Sequence, residues 1–210
     1  MLISHVGIMD VNEVEKILNW TDLTKSSEYT ITQDKEIRDD VDVIVFGVCD
    51  GGDRLDVKLD DIIAANKAGI GLVFTHDFPN IMEYDPKYAD IGIIGMDHSY
   101  DYNMFDLVRI ASPLHPIINT FYDISKSSLV VQRTHNTGIT LSNECIIVLD
   151  DPNIPASNKN YYLACLDVLG KGRIAHMSLG HNSYRRDDLI TISKEESNIL
   201  ANTILWAAEV

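Results

Sequence analysis

The sequence predicts an α/β fold with an open, mostly parallel sheet and an antiparallel portion near its C-terminal end. Residues 41–48 and 70–76 are continuous β-branched and aromatic runs, typical of strands buried on both faces. Between them, residues 55–69 place apolar side chains at helical spacing and end on Gly69, a residue suited to a helix C-terminus. A strand, a helix and a strand with short connections predict a right-handed βαβ unit.

The other elements follow from local patterns. Residues 1–9 predict a first strand, Asp10 or Asn12 a helix N-cap, and residues 26–32 a second strand. Residues 77–127 mix prolines, tyrosines and aspartates with short apolar runs, which predicts elaborated loops with a helical turn or two.

The C-terminal third predicts two strand pairs and a helix. Strands at 127–135 and 139–151 flank a predicted turn at 136–138. A second hairpin joins 160–169 to 173–180 through Gly170-Lys171-Gly172. The last segment, 193–210, predicts a helix that begins with a Ser193–Glu196 capping box.

Composition and charge limit the number of domains and the kinds of partner that we expect. The 210 residues are 45% apolar and 23% charged, which suits one domain spanning 1–210. The net charge of −15, from 17 basic and 32 acidic side chains, repels phosphate backbones and anionic lipid. We therefore expect a small-molecule ligand, and no nucleic-acid or membrane partner; a homo-oligomer stays open.

The compartment expected from the sequence is the cytoplasm. Residues 1–11 lack a basic segment followed by an apolar run, and no stretch approaches the roughly 20 apolar residues of a membrane span. The three cysteines are widely spaced and odd in number, which predicts reduced thiols instead of a disulfide framework.

Residues that could bind a ligand or take part in catalysis directly follow three of the predicted strands. Ligands of open α/β sheets bind outside the carboxyl ends of the strands. In this sequence Cys49, Asp50 and Gly51 follow the first of these strands, His76 and Asp77 the second, and Gly180, His181 and Asn182 the third. The three strand ends are expected to converge on one crevice.

At this point a family resemblance becomes visible. Residues 170–182, followed by the helix segment 202–209, resemble the ThuA-like (trehalose-utilisation) family of the class I glutamine amidotransferase-like superfamily. Residues 41–48, 68–76 and the His115-Pro116-Ile117 triplet fit it too, so the resemblance runs from about residue 41 to the end. It implies a flavodoxin-like three-layer sandwich.

Amidotransferase chemistry needs a cysteine on a tight elbow, a histidine and an acid. His76 stands near the position of that cysteine, and no G-x-C-x-G motif occurs. His181 matches the family histidine, but the acid two positions beyond it is replaced by Ser183. We therefore predict no glutaminase activity.

His76, Asp77 and His181 are the predicted catalytic residues. In the acid/base interpretation one histidine works near neutral pH and a carboxylate orients it. Three alternatives remain: a histidine metal site, which no His-x-His or His-x-x-x-His spacing supports; Asp77 as a turn residue; and His181 as a strand-end cap. No metal is predicted and the cofactor is left open.

The remaining candidates are ligand-binding residues. The loop with Cys49, Asp50, Gly51 and Arg54 offers backbone N–H groups near a helix N-terminus for an anion, although a plain βα loop is the simpler interpretation. His115 and Asn182 complete the set, with Tyr100 as the member of an aromatic insert, 82–105, that forms either a lid or a packing cluster. His5, His135 and His176 are expected to be structural.

Two functions follow. The first is binding of a small polar metabolite, carbohydrate-related by family name, with hydrolase- or isomerase-type acid/base chemistry on the histidines. The second is a non-catalytic module that senses or sequesters a ligand, or contacts a protein, on a degenerate amidotransferase scaffold. Whether the chain is an enzyme is left open, because the missing triad members favour the second function and the retained histidines favour the first.

Overall fold

The computed structural model describes residues 1–7, 28–47, 57–75, 95–98, 105–120, 122, 124, 128–132, 136–139, 144–149, 160–168, 170–178 and 194–209. The strands in these ranges are β1 Leu2–Val6, β2 Thr30–Asp34, β3 Val43–Phe46, β4 Gly71–Thr75, β5 Gly95–His98, β6 Phe105–Ile110, β7 Ser128–Gln132, β8 Asn136–Ile139, β9 Glu144–Leu149, β10 Asn160–Leu166 and β11 Ile174–Met177. The helices are α1 Leu59–Lys67, α2 Pro116–Asn119 and α3 Lys194–Ala207.

All the described strands belong to one mixed sheet. Its order is β2-β1-β3-β4-β11-β10-β9-β6-β7. The first five strands of this order are parallel to one another, and from β11 to β7 each neighbour is antiparallel. The β2-β1-β3-β4 order, extended by a further parallel strand, is that of flavodoxin-like folds. The predicted fold class is confirmed, with an antiparallel portion longer than expected.

β5 and β8 form a small ribbon attached to β10. Tyr161 of β10 pairs with Val148 of β9 along one edge of its strand. Tyr161 also pairs with Gly138 of β8, and this second pairing must use the opposite edge of β10. That edge also carries β11, which pairs with residues 163–166. β8 therefore continues along β10 from the point where β11 ends.

Helices cover both faces of the parallel strands. On one face α1 buries Ile62 and Ile63 against Ile44, Leu72 and Phe74. On the other face the apolar side of α3 packs on the sheet, in a cluster that includes Ile3, Val43, Val73, Ala175, Ile199, Leu200, Ile204 and Trp206. The result is the predicted three-layer sandwich, and the two clusters supply most of the apolar burial that stabilises it.

Glycines permit close backbone approaches where the parallel strands begin. α1 ends in a Schellman arrangement, because Ile70 N–H bonds Ala65 O and Gly69, at φ +99°, bonds Asn66 O. A Cβ at Gly71 would overlap the carbonyl of Ala207, and one at Gly172 would overlap the carbonyl of Ile70. The chain needs glycine at these two positions for α3 and the turn at 170–172 to pack.

A polar cluster joins the first two strands. Ser4 Oγ and Thr32 Oγ1 both donate to Asp34 Oδ2, at 2.8 and 2.6 Å. Arg38 lies 3.6 Å from Asp34 and makes a closer pair with Asp40 at 2.7 Å. The hydrogen bonds and charge of Arg38 hold the pKa of the Asp40 carboxyl below its usual value.

Most predicted elements are confirmed within a few residues, including the 160–180 hairpin and the final helix. Three predictions are wrong. Residues 136–138 belong to β8 instead of a turn, and the strands predicted on either side of it do not pair, because β7 pairs with β6 while β9 lies between β6 and β10. The 77–127 region contributes β5 and β6 besides the short helix α2. In each case pairing between distant strands outweighs the local composition. The predicted helix after residue 10 and Ser193 lie outside the described residues.

Candidate functional site

The parallel strands end side by side. Val6 pairs with Phe46, Phe46 with Phe74, and Phe74 with His176, so β1, β3, β4 and β11 finish at nearly the same level. We call this end the carboxyl edge and the opposite end, where β3, β4 and β11 begin, the amino edge.

A topological switch point lies on the carboxyl edge. β1 is flanked by β2 on one side and β3 on the other, and both connections leave from a carboxyl end. In doubly wound sheets the switch point is the usual position of the ligand. Gly7 and Gly47 continue β1 and β3 there, and Gly47 adopts φ +67°. Backbone in this conformation lets the chain leave the sheet sharply.

Most of the predicted site residues follow these strand ends but lie outside the described residues. They are Cys49, Asp50, Gly51 and Arg54 after β3, His76 and Asp77 after β4, Tyr100 after β5, and His181 and Asn182 after β11. Their side-chain geometry is therefore left as a prediction.

His5, for which the sequence predicts a structural role, is a buried histidine beside the switch point. Gln33 Nε2 donates to Gly7 O at 2.7 Å, which turns Gln33 Oε1 toward His5. The 2.8 Å contact between Gln33 Oε1 and His5 Nδ1 then requires a proton on Nδ1. In the neutral ring Nε2 is consequently the acceptor nitrogen, the form that a general base or a hydrogen-bond acceptor needs.

A row of aromatic side chains lies on the α1 face of the sheet, one step inside the edge. Phe46 and Phe74 stack at 4.8 Å between ring centroids and an interplanar angle of 14°. His176 is next in the row, and its Nδ1 lies 2.8 Å from the Tyr161 hydroxyl. The buried Tyr161 thus fixes the His176 ring, and Phe46, Phe74 and His176 form a row of buried rings beneath the edge.

Ser178 follows β11 directly. It is 1% exposed, and its N–H bonds Tyr162 O at 2.8 Å. Its hydroxyl has no hydrogen-bond partner within the described part of the chain. Buried hydroxyls are nearly always paired, so this one marks a place where a further polar group fits.

The β5–β8 ribbon stands beside the same edge. β8 starts to pair with β10 beyond the end of β11, and β5 pairs with β8 so that His98 lies opposite Asn136. The backbone of the aromatic insert, 82–105, is thereby partly anchored next to the segment that continues β11 into Ser178 and His181. This position suits the wall of a crevice.

His115 lies at the amino edge, and the other candidates follow strands that finish at the carboxyl edge. It caps α2, where its Nδ1 accepts the Ile117 N–H at 3.3 Å. The neutral ring therefore carries its proton on Nε2, which donates toward Cys165 Sγ at 3.4 Å. Cys165 pairs with Ala175 near the start of β11, and the His115 ring packs on Trp206. The structure does not bring His115 together with the strand ends.

Within the described ranges no group of three or more His, Cys, Asp or Glu side chains has the arrangement of a metal site. The described helices include none that is long and apolar enough to cross a membrane.

Comparisons with solved structures identify the fold of the chain. No family model and no curated protein matches the chain. A ThuA-like protein from Parabacteroides merdae has a TM-score of 0.62 at 13% identity, covering 99% of this chain and 88% of that one. A second, from Bacteroides uniformis, has a TM-score of 0.58 at 13% identity, with coverages of 98% and 89%. The chain has the ThuA-like fold.

A longer enzyme contains the same fold as a part. The chain matches β-galactosidase from Bacillus circulans sp. alkalophilus at a TM-score of 0.55 and 9% identity, covering 100% of this chain and 31% of that one. The ThuA-like fold therefore occurs both as most of a chain and as one section of a larger enzyme.

Proposed function

We propose that the chain binds a small, polar, carbohydrate-related metabolite at the carboxyl edge. The observation that supports this proposal is the common level at which β1, β3, β4 and β11 end, beside a switch point. A crevice of this kind offers backbone groups from several strand ends to one ligand. The carbohydrate class is supported by the names of the structures that share the fold, two ThuA-like proteins and a β-galactosidase.

Acid/base chemistry is the catalytic form of this proposal. His76 directly follows the last residue of β4, and His181 stands three positions beyond Ser178. With Asp77 as the orienting carboxylate, the two histidines would move a proton on and off a bound sugar, as hydrolases and isomerases do. The fixed tautomer of His5 adds a third imidazole beside the switch point whose acceptor nitrogen is defined.

A non-catalytic sensing, sequestering or protein-contacting module is the second candidate. The observation that favours it is the sequence at the amidotransferase triad, in which His76 replaces the cysteine and Ser183 the acid. In this candidate the crevice is kept for ligand binding and no covalent chemistry occurs there.

Calorimetric titration of the purified chain with neutral sugars tests the proposal. The panel contains D-glucose, D-galactose, lactose and α,α-trehalose. We expect at least one to bind, and replacing His181 by Ala to weaken that binding about tenfold, since a ligand hydroxyl loses its partner. Lys67→Ala, at the amino edge, is the control that leaves binding unchanged. Failure of every sugar to bind would contradict the proposal.

Product analysis then separates the two candidates. Incubation of the binding sugar with the protein, followed by chromatography, should reveal a hydrolysed or isomerised product if the histidines are catalytic. Loss of that product in both His76→Ala and His181→Ala would support the enzyme. Binding without any turnover would support the sensing module.

A further inference from the structure

Three buried hydroxyls of the parallel strands differ in their surroundings. Ser4 Oγ donates to Asp34 Oδ2 at 2.8 Å, and Thr75 Oγ1 donates to Phe46 O at 2.7 Å. Both side chains are completely buried, so their hydrogen bonds replace those lost with water. Ser178, equally shielded at 1% exposure, has no such acceptor among the described residues. An alanine there would pack as well and avoid the loss of solvation.

We propose that the Ser178 hydroxyl is a ligand-binding group, held ready for a hydroxyl or carbonyl oxygen of a neutral sugar. This inference rests on the proposed function, because it names a contact and a ligand class for that same site. A serine hydroxyl both donates and accepts, so it matches a sugar hydroxyl in either direction.

The position of Ser178 fits this role. Side chains alternate along β11, so Ser178 lies on the same face as His176, next to the row of aromatic rings. It is also the last described residue before Gly180 and His181. The rings of that row are buried, so they support the strand end from beneath, and the Ser178 hydroxyl is the group that this strand end offers to a sugar.

Charge favours a neutral ligand over a phosphorylated one. α1 runs from the end of β3 to the start of β4, so its first turn lies at the carboxyl edge on the face of Ser178. That turn carries Asp60 and Asp61, which already occupy the positive end of the helix dipole. The net charge of −15 adds a long-range repulsion of anions. A sugar phosphate would meet both effects.

The unliganded protein provides the first test. Ser178→Ala and Ser4→Ala are the same chemical change at two buried sites, one without and one with a hydrogen-bond acceptor. In thermal unfolding we expect Ser178→Ala to keep or raise the Tm, and Ser4→Ala to lower it by about 2–4 °C, the shift typical of one lost hydrogen bond in a chain of this size. A fall of the same size in both variants would show that Ser178 has a structural partner and overturn the inference.

Ligand titration provides the second test. With the tightest-binding neutral sugar of the panel, we expect Ser178→Ala to weaken affinity about tenfold and Ser4→Ala to change it less than twofold. Glucose 6-phosphate should bind more weakly than glucose. Equal affinity of wild type and Ser178→Ala would overturn the role of Ser178 while leaving the proposed function intact, and tighter binding of the phosphate would overturn the neutral class. A wild-type chain that binds no sugar would instead contradict the proposed function itself.

Discussion

The two ends of the parallel strands use their polar groups differently. At the amino edge, Asn66 Nδ2 donates to Gly172 O at 2.6 Å, and Arg173 Nη1 donates to Trp206 O at 2.8 Å while its guanidinium lies over the Trp206 ring. These bonds connect α1, α3 and the turn at 170–172 to the strands that begin there. The amino edge is thus closed by contacts between elements that are distant in sequence.

At the carboxyl edge the described polar contacts lie between neighbouring strands and fix the orientation of side chains there. Gln33 sets the tautomer of His5, Tyr161 holds the His176 ring, and the Ser178 hydroxyl has no partner in the described residues. Under the proposed function, stability and ligand binding are assigned to opposite ends of the same strands, as in other α/β folds. Substitutions at the amino edge should therefore cost stability, and those at the carboxyl edge should cost binding.

The largest expected effect is at Gly172. Because an alanine Cβ would overlap the Ile70 carbonyl, Gly172→Ala must displace backbone and should lower the free energy of unfolding by about 3 kcal/mol in urea titrations. Gly170→Ala is the control: its Cβ meets open space, and only the φ of +81° is strained, at a cost of about 1 kcal/mol. Equal losses in the two variants would show that the close approach does not matter.

A smaller loss is expected at Asn66. Asn66→Asp keeps the size of this buried side chain but removes the N–H donor to Gly172 O and brings two oxygens together. We expect the free energy of unfolding to fall by about 2 kcal/mol. Asn119→Asp is the matched control, since its side chain bonds Pro113 O at the surface. If both aspartates were tolerated equally well, the amino edge would not be held by this bond.

Adjacent tyrosines of β10 compare the two faces of the sheet. The Tyr162 hydroxyl donates to the buried Glu196 at 2.7 Å, and the Tyr161 hydroxyl bonds His176 at 2.8 Å. Tyr162→Phe should lower the free energy of unfolding by about 2 kcal/mol and Tyr161→Phe by about 1 kcal/mol, because the first bond involves an acidic group. Chemical denaturation checks both values, and the reverse order would contradict the greater strength given to the bond with Glu196.

The smallest effect is expected from a surface ion pair. Arg38 lowers the pKa of Asp40 in the folded state, so the pair stabilises the fold above the ordinary aspartate pKa of 3.8 and the contribution disappears as pH falls through the lowered value. Asp40→Asn should reduce the Tm slightly at pH 7, and less in high salt. Thermal scans at pH 7 and pH 3 check this: the difference between wild type and variant should shrink at pH 3.

The buried parallel strands were predictable from the sequence because their pattern is local. Residues 41–48 and 70–76 contain runs of Val, Ile, Leu and Phe that only a strand covered on both faces can bury, and they contain β3 and β4. β8 could not be predicted in this way, because Asn136-Thr137-Gly138 is a turn composition. Its strand conformation depends on β5 and β10, which lie far away in sequence.

The candidate site was only partly predictable for the same reason. The positions of His76 and His181 after predicted strands required no knowledge of contacts, and they stay predictions. The roles of His5 and Ser178 depend on neighbours: Gln33 is 28 residues from His5, and the missing acceptor of Ser178 shows only when its surroundings are known. No local motif signals either property. His115 shows the converse, since its triplet fits the family and its described contacts lie at the amino edge.

An NMR titration of the uniformly ¹⁵N-labelled chain with the tightest-binding neutral sugar tests most directly whether the carboxyl edge is the ligand site. Backbone amide shifts report the position of a ligand without any substitution. We predict that the largest changes occur at the amides of Gly7, Gly47, Thr75 and Ser178, with those of Gly69, Gly172 and Arg173 unchanged. Changes confined to Gly69, Gly172 and Arg173 would place the ligand at the amino edge and contradict the account.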